Sequence, residues 1–348
     1  MFWVVRWLFF LNFYGFVILN GFPQQGSVPA KPPLQRYEYS RPQMGTIFRV
    51  VLFAPSESIA KVAAEAALNR VDTLNQILSD YIPDSELNKL SATAGTIQAV
   101  PLSPDLWAVL QKSQRVSRKT NGAFDVTVGP VVQLWRRARR QHQMPSPEAL
   151  IKAQATTGYQ HIILKKKQKT AQLLVPGMQL DMGAIGKGYA VDEAMRVLQQ
   201  HKIKIALVDG GGNIRVSQAP PGTPGWEIDL SISNETDHIG GQKIYLKNAG
   251  VATSGDLYQF VEINGQRYSH IINPFTGLGL TDQRRVTIVA KNGTDADWLS
   301  TALSVLPTAQ GIKLANRTPQ AAASIVWNTN GKLQQAQSRR FRQLKWVK

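Results

Sequence analysis

Apolar residues recur in this chain with two different periods, and the order of those periods limits the fold class. Residues 44–53, MGTIFRVVLF, alternate as a strand does. Residues 57–80 put Ile59, Val62, Ala63, Ala66, Ala67, Val71, Leu74 and Leu78 on one helical stripe, with Leu68 just off it. Ser56 is the N-cap expected for that helix. A second helix is predicted over 104–119 and a third from about Gly188 to His201. IKIALVD at 203–209 reads as a buried strand, and 226–290 is rich in strands: WEIDLSI, GQKIYL, QFVEI, QRYSHII and RVTIVA. A last helix is expected over 294–315 and a strand at 324–327. The strands cluster instead of alternating strictly with helices, so the class is α+β and not a doubly wound sheet. No repeat of fixed period is present.

A length of 348 residues leaves room for roughly two domain-sized units. The absence of cysteine excludes disulfides, thiolate metal sites, a cysteine nucleophile and a cysteine-linked lipid. One long apolar run exists. Arg6 precedes Trp7–Leu19, a length that suits the core of a signal peptide better than a full span of about 20 residues. No A-x-A cleavage pattern follows it, so residues 1–22 are expected to be a signal peptide or a short membrane anchor, and the protein to be exported. Residues 23–43 hold five prolines and are expected to be an extended linker.

The familiar motifs fail. Gly210-Gly211-Gly212 follows a strand, but Arg215 stands where a dinucleotide-binding turn needs its third glycine. Gly183-Ala184-Ile185-Gly186-Lys187 has the wrong spacing for a phosphate-binding P-loop. The five histidines form no metal-ligand spacing, and no G-x-S-x-G elbow occurs.

What remains is a set of acids embedded among small residues: Asp125, Asp181, Asp192, Asp209, Asp256 and Asp297. Glycine lets a ligand approach the backbone closely, and carboxylates coordinate metals or polar ring atoms. The bland alternative is turn and cap chemistry, and Asp192, near the first turn of a helix, fits it best. Asp297 and Thr301, four apart on a helix, present two hard oxygens on one face, a set that suits Mg²⁺. His270 lies between a strand and a Pro-Gly turn, where it could serve as a general base or as a structural histidine.

Eight segments in order resemble the FAD:protein FMN transferases, the ApbE family: MGT (44–46), YIPDSELNKL (81–90), TNGAFDVTVGP (120–130), DMGAIGKGYAVD (181–192), VDGGGN (208–213), ATSGD (252–256), SHIINPFTG (269–277) and ADWLSTAL (296–303). The resemblance implies an ApbE-like fold over 44–331, with two α/β subdomains, mixed sheets and the active site in the cleft between them. It implies Mg²⁺ as cofactor, FAD as substrate, and transfer of FMN to a Thr or Ser hydroxyl of an acceptor flavoprotein with release of AMP. The acceptor would be a subunit of a membrane electron-transport complex, and the location periplasmic or at the outer face of the inner membrane. Carried over by position, Met44, Tyr81, Ala123, Phe124, Asp125, Asp181, Lys187 and Ile272 would contact FAD. Ala184 (through its carbonyl), Asp297 and Thr301 would hold Mg²⁺, and His270 would take the hydroxyl proton.

This chain departs from the family pattern at Asn273, where Asp is usual, at Ser91, where Asn is usual, and in lacking a lipobox cysteine. Two other functions use the same metal site or the same FAD pocket, an FAD pyrophosphatase and a non-catalytic FAD carrier. Forty Lys and Arg against 23 Asp and Glu give a net charge of +17. The surplus gathers at 136–169 and in a basic C-terminal tail, 332–348. A solvated face or contact with a membrane surface fits it better than nucleic acid, for which no motif exists.

Overall fold

The computed structural model describes Met1 and residues 33–230, 243–255, 260–329 and 332–347. The signal or anchor expected over 1–22 lies outside these apart from Met1, and so does Asp256. Leu34–Lys348 forms one compact unit.

The unit opens with a hairpin of β1 (Gln35–Gln43) and β2 (Thr46–Ala54), followed by α1 (Glu57–Leu78) and α2 (Glu86–Ala92). A short β3 (Val100–Pro101) leads to α3 (Pro104–Lys119), α4 (Gly129–Gln141) and α5 (Pro147–Gln154). β4 (Ile162–Lys165) and β5 (Thr170–Leu173) precede α6 (Gly186–Gln200). Then come β6 (Ala206–Gly210), β7 (Ile214–Val216), β8 (Trp226–Asp229), β9 (Lys243–Leu246), β10 (Ala249–Gly255), β11 (Phe260–Ile263), β12 (Gln266–Ser269) and β13 (Arg285–Ala290). α7 (Gly293–Val305), α8 (Thr308–Arg317), β14 (Ala322–Thr329) and β15 (Lys332–Gln337) complete the order.

One eight-stranded antiparallel sheet, in the order β1-β2-β6-β7-β10-β13-β14-β15, organises the chain. Helices α1, α6 and α7 cover one face through a large apolar core that also takes in Leu106, Leu173 and Met178 from the region of the small β3-β5-β4 sheet. The two expected subdomains therefore share a continuous interior. On the other face a second cluster, with Trp226, Ile244 and Phe341, packs under the β8–β9 hairpin and the C-terminal segment. A third cluster joins α4, α5 and the β11–β12 hairpin.

Several expectations need correction. The last nine residues of the supposed linker, 35–43, are an edge strand paired with β2 along its whole length, with Pro42 at the end of the strand. In α1, Leu68 is buried while Ile59 and Val62 are 45% and 61% exposed. The alanine-rich face turns inward because it meets both α6 and the sheet at close range. The helix expected over 294–315 breaks at Pro307, which has no N–H to continue it.

The C-terminal segment is not a free tail. β15 pairs with β14, Phe341 is 3% exposed and meets Trp346 edge-on at 5.7 Å, and Trp346 bridges to Ile244. Phe341→Ala should therefore cost about 3–5 kcal/mol of stability, as deletion of a buried aromatic does. Urea denaturation checks this, and a loss below about 1 kcal/mol, typical of surface sites, would return the segment to the status of a solvated tail.

Candidate active site

The site is built from close backbone approaches. Met44 and Gly45 form a two-residue hairpin turn with φ of 47° and 72°, the left-handed pair that such turns require. The turn lies against the loop between β6 and β7: a side chain on Gly211 would strike Thr46, and one on Gly210 would strike Phe48. Here the triple glycine makes a strand-to-strand loop, with Gly210 N–H donating to the Asn213 carbonyl at 2.8 Å. Asp209 accepts the Gly212 N–H at 2.9 Å, so it is a turn residue.

The loop carrying Asp80 and Tyr81 is clamped by α2. Ser85 caps that helix, and the Asn88 amide donates to the carbonyls of Asp80 at 3.1 Å and Ile82 at 2.8 Å. Ser91, the departure from the family pattern, accepts the Leu180 N–H at 3.2 Å and so steadies the residue before Asp181. Segments 123–130 and 178–184 run side by side, with Asp181 N–H donating to the Val126 carbonyl at 2.8 Å. Asp125 accepts from the Thr127 amide and hydroxyl at 2.8 and 2.7 Å and from the Tyr159 N–H at 2.9 Å. Burial pushes its carboxyl up, against those bonds. Phe124 is 1% exposed and belongs to the main core.

Asp181 is buried. It accepts the Gly183 N–H at 2.7 Å and pairs with Arg136 at 3.0 Å. Burial first, then the neighbouring Asp80, raise its pKa, while Arg136 pulls the other way.

The turn 181–186 delivers the chain into α6, whose N-cap residue, Ile185, has no side chain able to cap it. At Gly188 the helix presses on α7: a side chain there would collide with the Gly293 carbonyl and Asp297. Each helix satisfies the other's N-terminus. Asp297 accepts the Gly188 N–H at 2.8 Å, and Asp192 accepts the amides of Gly293 and Thr294, both at 2.8 Å. Asp192 is thus structural as expected, although the N-terminus it serves is that of α7 and not its own.

Asp297 is 4% exposed, and Thr301 follows one turn on. Burial raises the Asp297 carboxyl to about 6, with Asp192 adding to the rise and Lys187 and the Gly188 amide opposing it. A buried carboxylate, a hydroxyl and the Ala184 carbonyl are hard oxygen donors that fit Mg²⁺, which completes its shell with water and substrate. Among the described residues no cluster of three His, Asp or Glu is present. A cation here would rest on this sparse set.

His270 is carried by the arm that leaves β12. The arm folds back on itself through Ser269 N–H to Leu280, Leu280 N–H to Ile271 and Asn273 N–H to Leu278, at 2.7, 3.0 and 2.8 Å. Ile271 and Ile272 are buried at its root, while His270 is exposed. Asn273 accepts the Phe275 N–H at 2.9 Å through its side-chain oxygen, a turn role that needs no charge.

These pieces enclose one cavity of about 660 Å³. Met44, Tyr81, Ala123, Phe124, Asp125, Asp181, Ala184, Lys187, His270, Ile272 and Thr301 all line it. Asp297 lies behind its wall at the α6–α7 contact. Two more lining residues, Asp80 and Arg136, escaped the sequence reading because Arg136 sits in a basic run that looks like solvated surface.

The family model of the ApbE family matches residues 44–325. The chain belongs to the ApbE family. It is 34% identical over 312 residues to the FAD:protein FMN transferase of Treponema pallidum, covering 83% of this chain and 84% of that one. With the Haemophilus influenzae FAD:protein FMN transferase it shares 32% over 264 residues, covering 74% and 76%. Its fold matches the Vibrio cholerae flavin transferase ApbE with a TM-score of 0.80 at 27% identity, over 90% of this chain and 100% of that chain. The Pseudomonas stutzeri flavinyl transferase ApbE, in its apo form, gives 0.79 at 27%, over 90% and 98%. The expected ApbE-like α+β fold is therefore the fold of this chain.

In this ApbE chain the raised Asp297 carboxyl has a consequence for stability. A group whose folded pKa exceeds its unfolded value binds more protons folded than unfolded. Stability therefore falls as pH rises from about 3.8 to about 6, and the cost is complete above that window. At 1.36 kcal/mol per unit the cost is about 3 kcal/mol. Asp297→Asn keeps an acceptor for the Gly188 N–H and removes the charge. In metal-free buffer it should exceed the parent by up to about 3 kcal/mol at pH 7 and match it near pH 4. Denaturation at the two pH values checks this, and parallel pH profiles would refute it.

Proposed function

We propose that this chain moves FMN from FAD to a Thr or Ser hydroxyl of an acceptor flavoprotein, with Mg²⁺ as cofactor. The observation that carries the reading is the convergence on one cavity of an exposed histidine, a helix first turn bearing a lysine, and Ala184 and Thr301, with Asp297 just behind the wall. The similarity to the Treponema pallidum and Haemophilus influenzae FAD:protein FMN transferases supports it.

The residues divide the work. Lys187 lines the cavity in the first turn of α6, so an ammonium and the positive end of a helix dipole meet there, a site suited to a diphosphate. Met44, Tyr81, Ala123, Phe124, Asp125, Asp181 and Ile272 form the walls that would bind the remainder of FAD. Asp297, Thr301 and the Ala184 carbonyl would hold Mg²⁺, which when bound withdraws charge from phosphate oxygens. A ring nitrogen of His270 takes the proton as the acceptor oxygen attacks the FMN phosphorus. The new P–O bond forms the phosphoester, the P–O bond to the AMP phosphate breaks, and AMP leaves. The exposed setting of His270 lets a protein hydroxyl reach it.

The apolar run after Arg6 supports an exported location, periplasmic or anchored at the outer face of the inner membrane, and an acceptor in a membrane electron-transport complex.

The test combines the protein lacking residues 1–22 with FAD, Mg²⁺ and a candidate acceptor flavoprotein. Intact-protein mass spectrometry should find FMN on the acceptor, with AMP in the same tube and both abolished by EDTA. AMP and free FMN across a panel of acceptors, none modified, would favour the pyrophosphatase. FAD bound without AMP would favour the carrier. His270→Ala should lower transfer by at least about 100-fold and leave FAD affinity unchanged, because the base acts only in the chemical step. Asp297→Ala should lose the response to Mg²⁺, and an unaltered Mg²⁺ titration would remove it from the metal site.

A further inference from the structure

Arg136 lines the cavity, and the reaction described above gives it no task. The helix beneath it is firmly seated. Val131, Trp135 and Ala138 are buried, and the Trp135 indole N–H donates to the Gly277 carbonyl at 2.7 Å. From this base the guanidinium crosses to the loop that α2 clamps. Nη1 pairs with Asp80, Nη2 pairs with Asp181 at 3.0 Å, and the guanidinium carbon lies 4.1 Å from the centroid of the Tyr81 ring. Two carboxylates fix the plane of the fork, and the aromatic ring meets it.

Tyr81 needs such a support. It is 71% exposed, and its backbone N–H donates to the Ser79 hydroxyl at 3.2 Å. A ring this open in a cavity wall takes its orientation from the cation against it, and most of its surface stays available to a ligand.

We propose that Arg136 is a positioning residue of the flavin site: anchored by Asp80 and Asp181, it holds the Tyr81 ring as a stacking surface for the planar ring system of FAD. The proposal rests on the reading that the cavity takes FAD. A lysine could replace the charge between the two carboxylates but not the flat fork against the ring.

The test is a double-mutant cycle on FAD binding, followed through flavin fluorescence, which a stacked tyrosine quenches. Arg136→Met should weaken FAD binding about tenfold and relieve the quenching. Arg136→Lys should restore the thermal melting of the parent but not the quenching. In a Tyr81→Leu background, Arg136→Met should change FAD affinity less than about twofold, because the two residues act as one unit. Additive effects in the cycle, or full quenching in Arg136→Lys, would overturn the proposal. If Arg136→Met fails to melt cooperatively, Arg136→Lys and Tyr81→Leu supply the same cycle. Failure of the unsubstituted chain to bind FAD would overturn both this proposal and the transferase reading. Normal FAD binding and FMN transfer with an additive cycle would overturn this one alone.

Discussion

The contact on which the site depends is the crossing of α6 and α7, where each helix caps the other. A helix N-terminus leaves four N–H groups without intrahelical partners; α7 has a local cap in Asn292, which accepts the Asp295 N–H, whereas Ile185 at the start of α6 offers none. Asp297 reaches from α7 to the Gly188 N–H, and Asp192 reaches from α6 to the first two amides of α7. The exchange is open only to helices that almost touch. Gly188 and Gly293 supply that closeness, since a methyl group on either would meet the other's carbonyl. The glycines thus set the distance and the aspartates use it. The turn from Asp181 to Gly186, the ammonium of Lys187 and the hydroxyl of Thr301 all hang on the same crossing.

That arrangement also accounts for where charge is tolerated. Asp297 is buried, with the half-buried carboxylate of Asp192 nearby, and burial disfavours its ionised form. A divalent ion held at the same oxygens would remove the conflict, because the cost of the buried charge is offset by coordination. The Mg²⁺ proposed for these oxygens would be such an ion. Asp125 and Asp181 are quieter. Each is occupied by backbone amides or a guanidinium, which leaves their shape, more than their charge, to meet a ligand.

Much of this was legible in the sequence, for an uneven reason. Long helices with strong periods, such as 57–78 and 104–119, came through because a helical period shows in the local sequence whichever face is finally buried. The site segments came through because their glycines and acids have few other reasons to recur in that order. What stayed hidden depended on partners distant in the chain. Residues 35–43 read as linker because their prolines are visible and their pairing to β2 is not. The C-terminal residues read as a basic tail because six cations mask one buried Phe341. α1 was placed with Val62 inward because a stripe of large residues outweighs alanines in any periodicity count, whereas tight packing prefers the alanines.

Arg136 shows the same limit at the level of chemistry. Four arginines in the run from Arg136 to Arg140 look alike in sequence, and a surplus of +17 makes any one of them seem dispensable. The fold distinguishes them. Trp135 and Ala138 turn inward, which leaves Arg137 and Arg140 in solvent and swings Arg136 over the cavity. There it meets Asp80, Asp181 and Tyr81, three groups that come from two other parts of the chain. A residue's task in such a site follows less from its type than from which anions the fold carries to it, and here the scarcity of acids makes each such meeting informative.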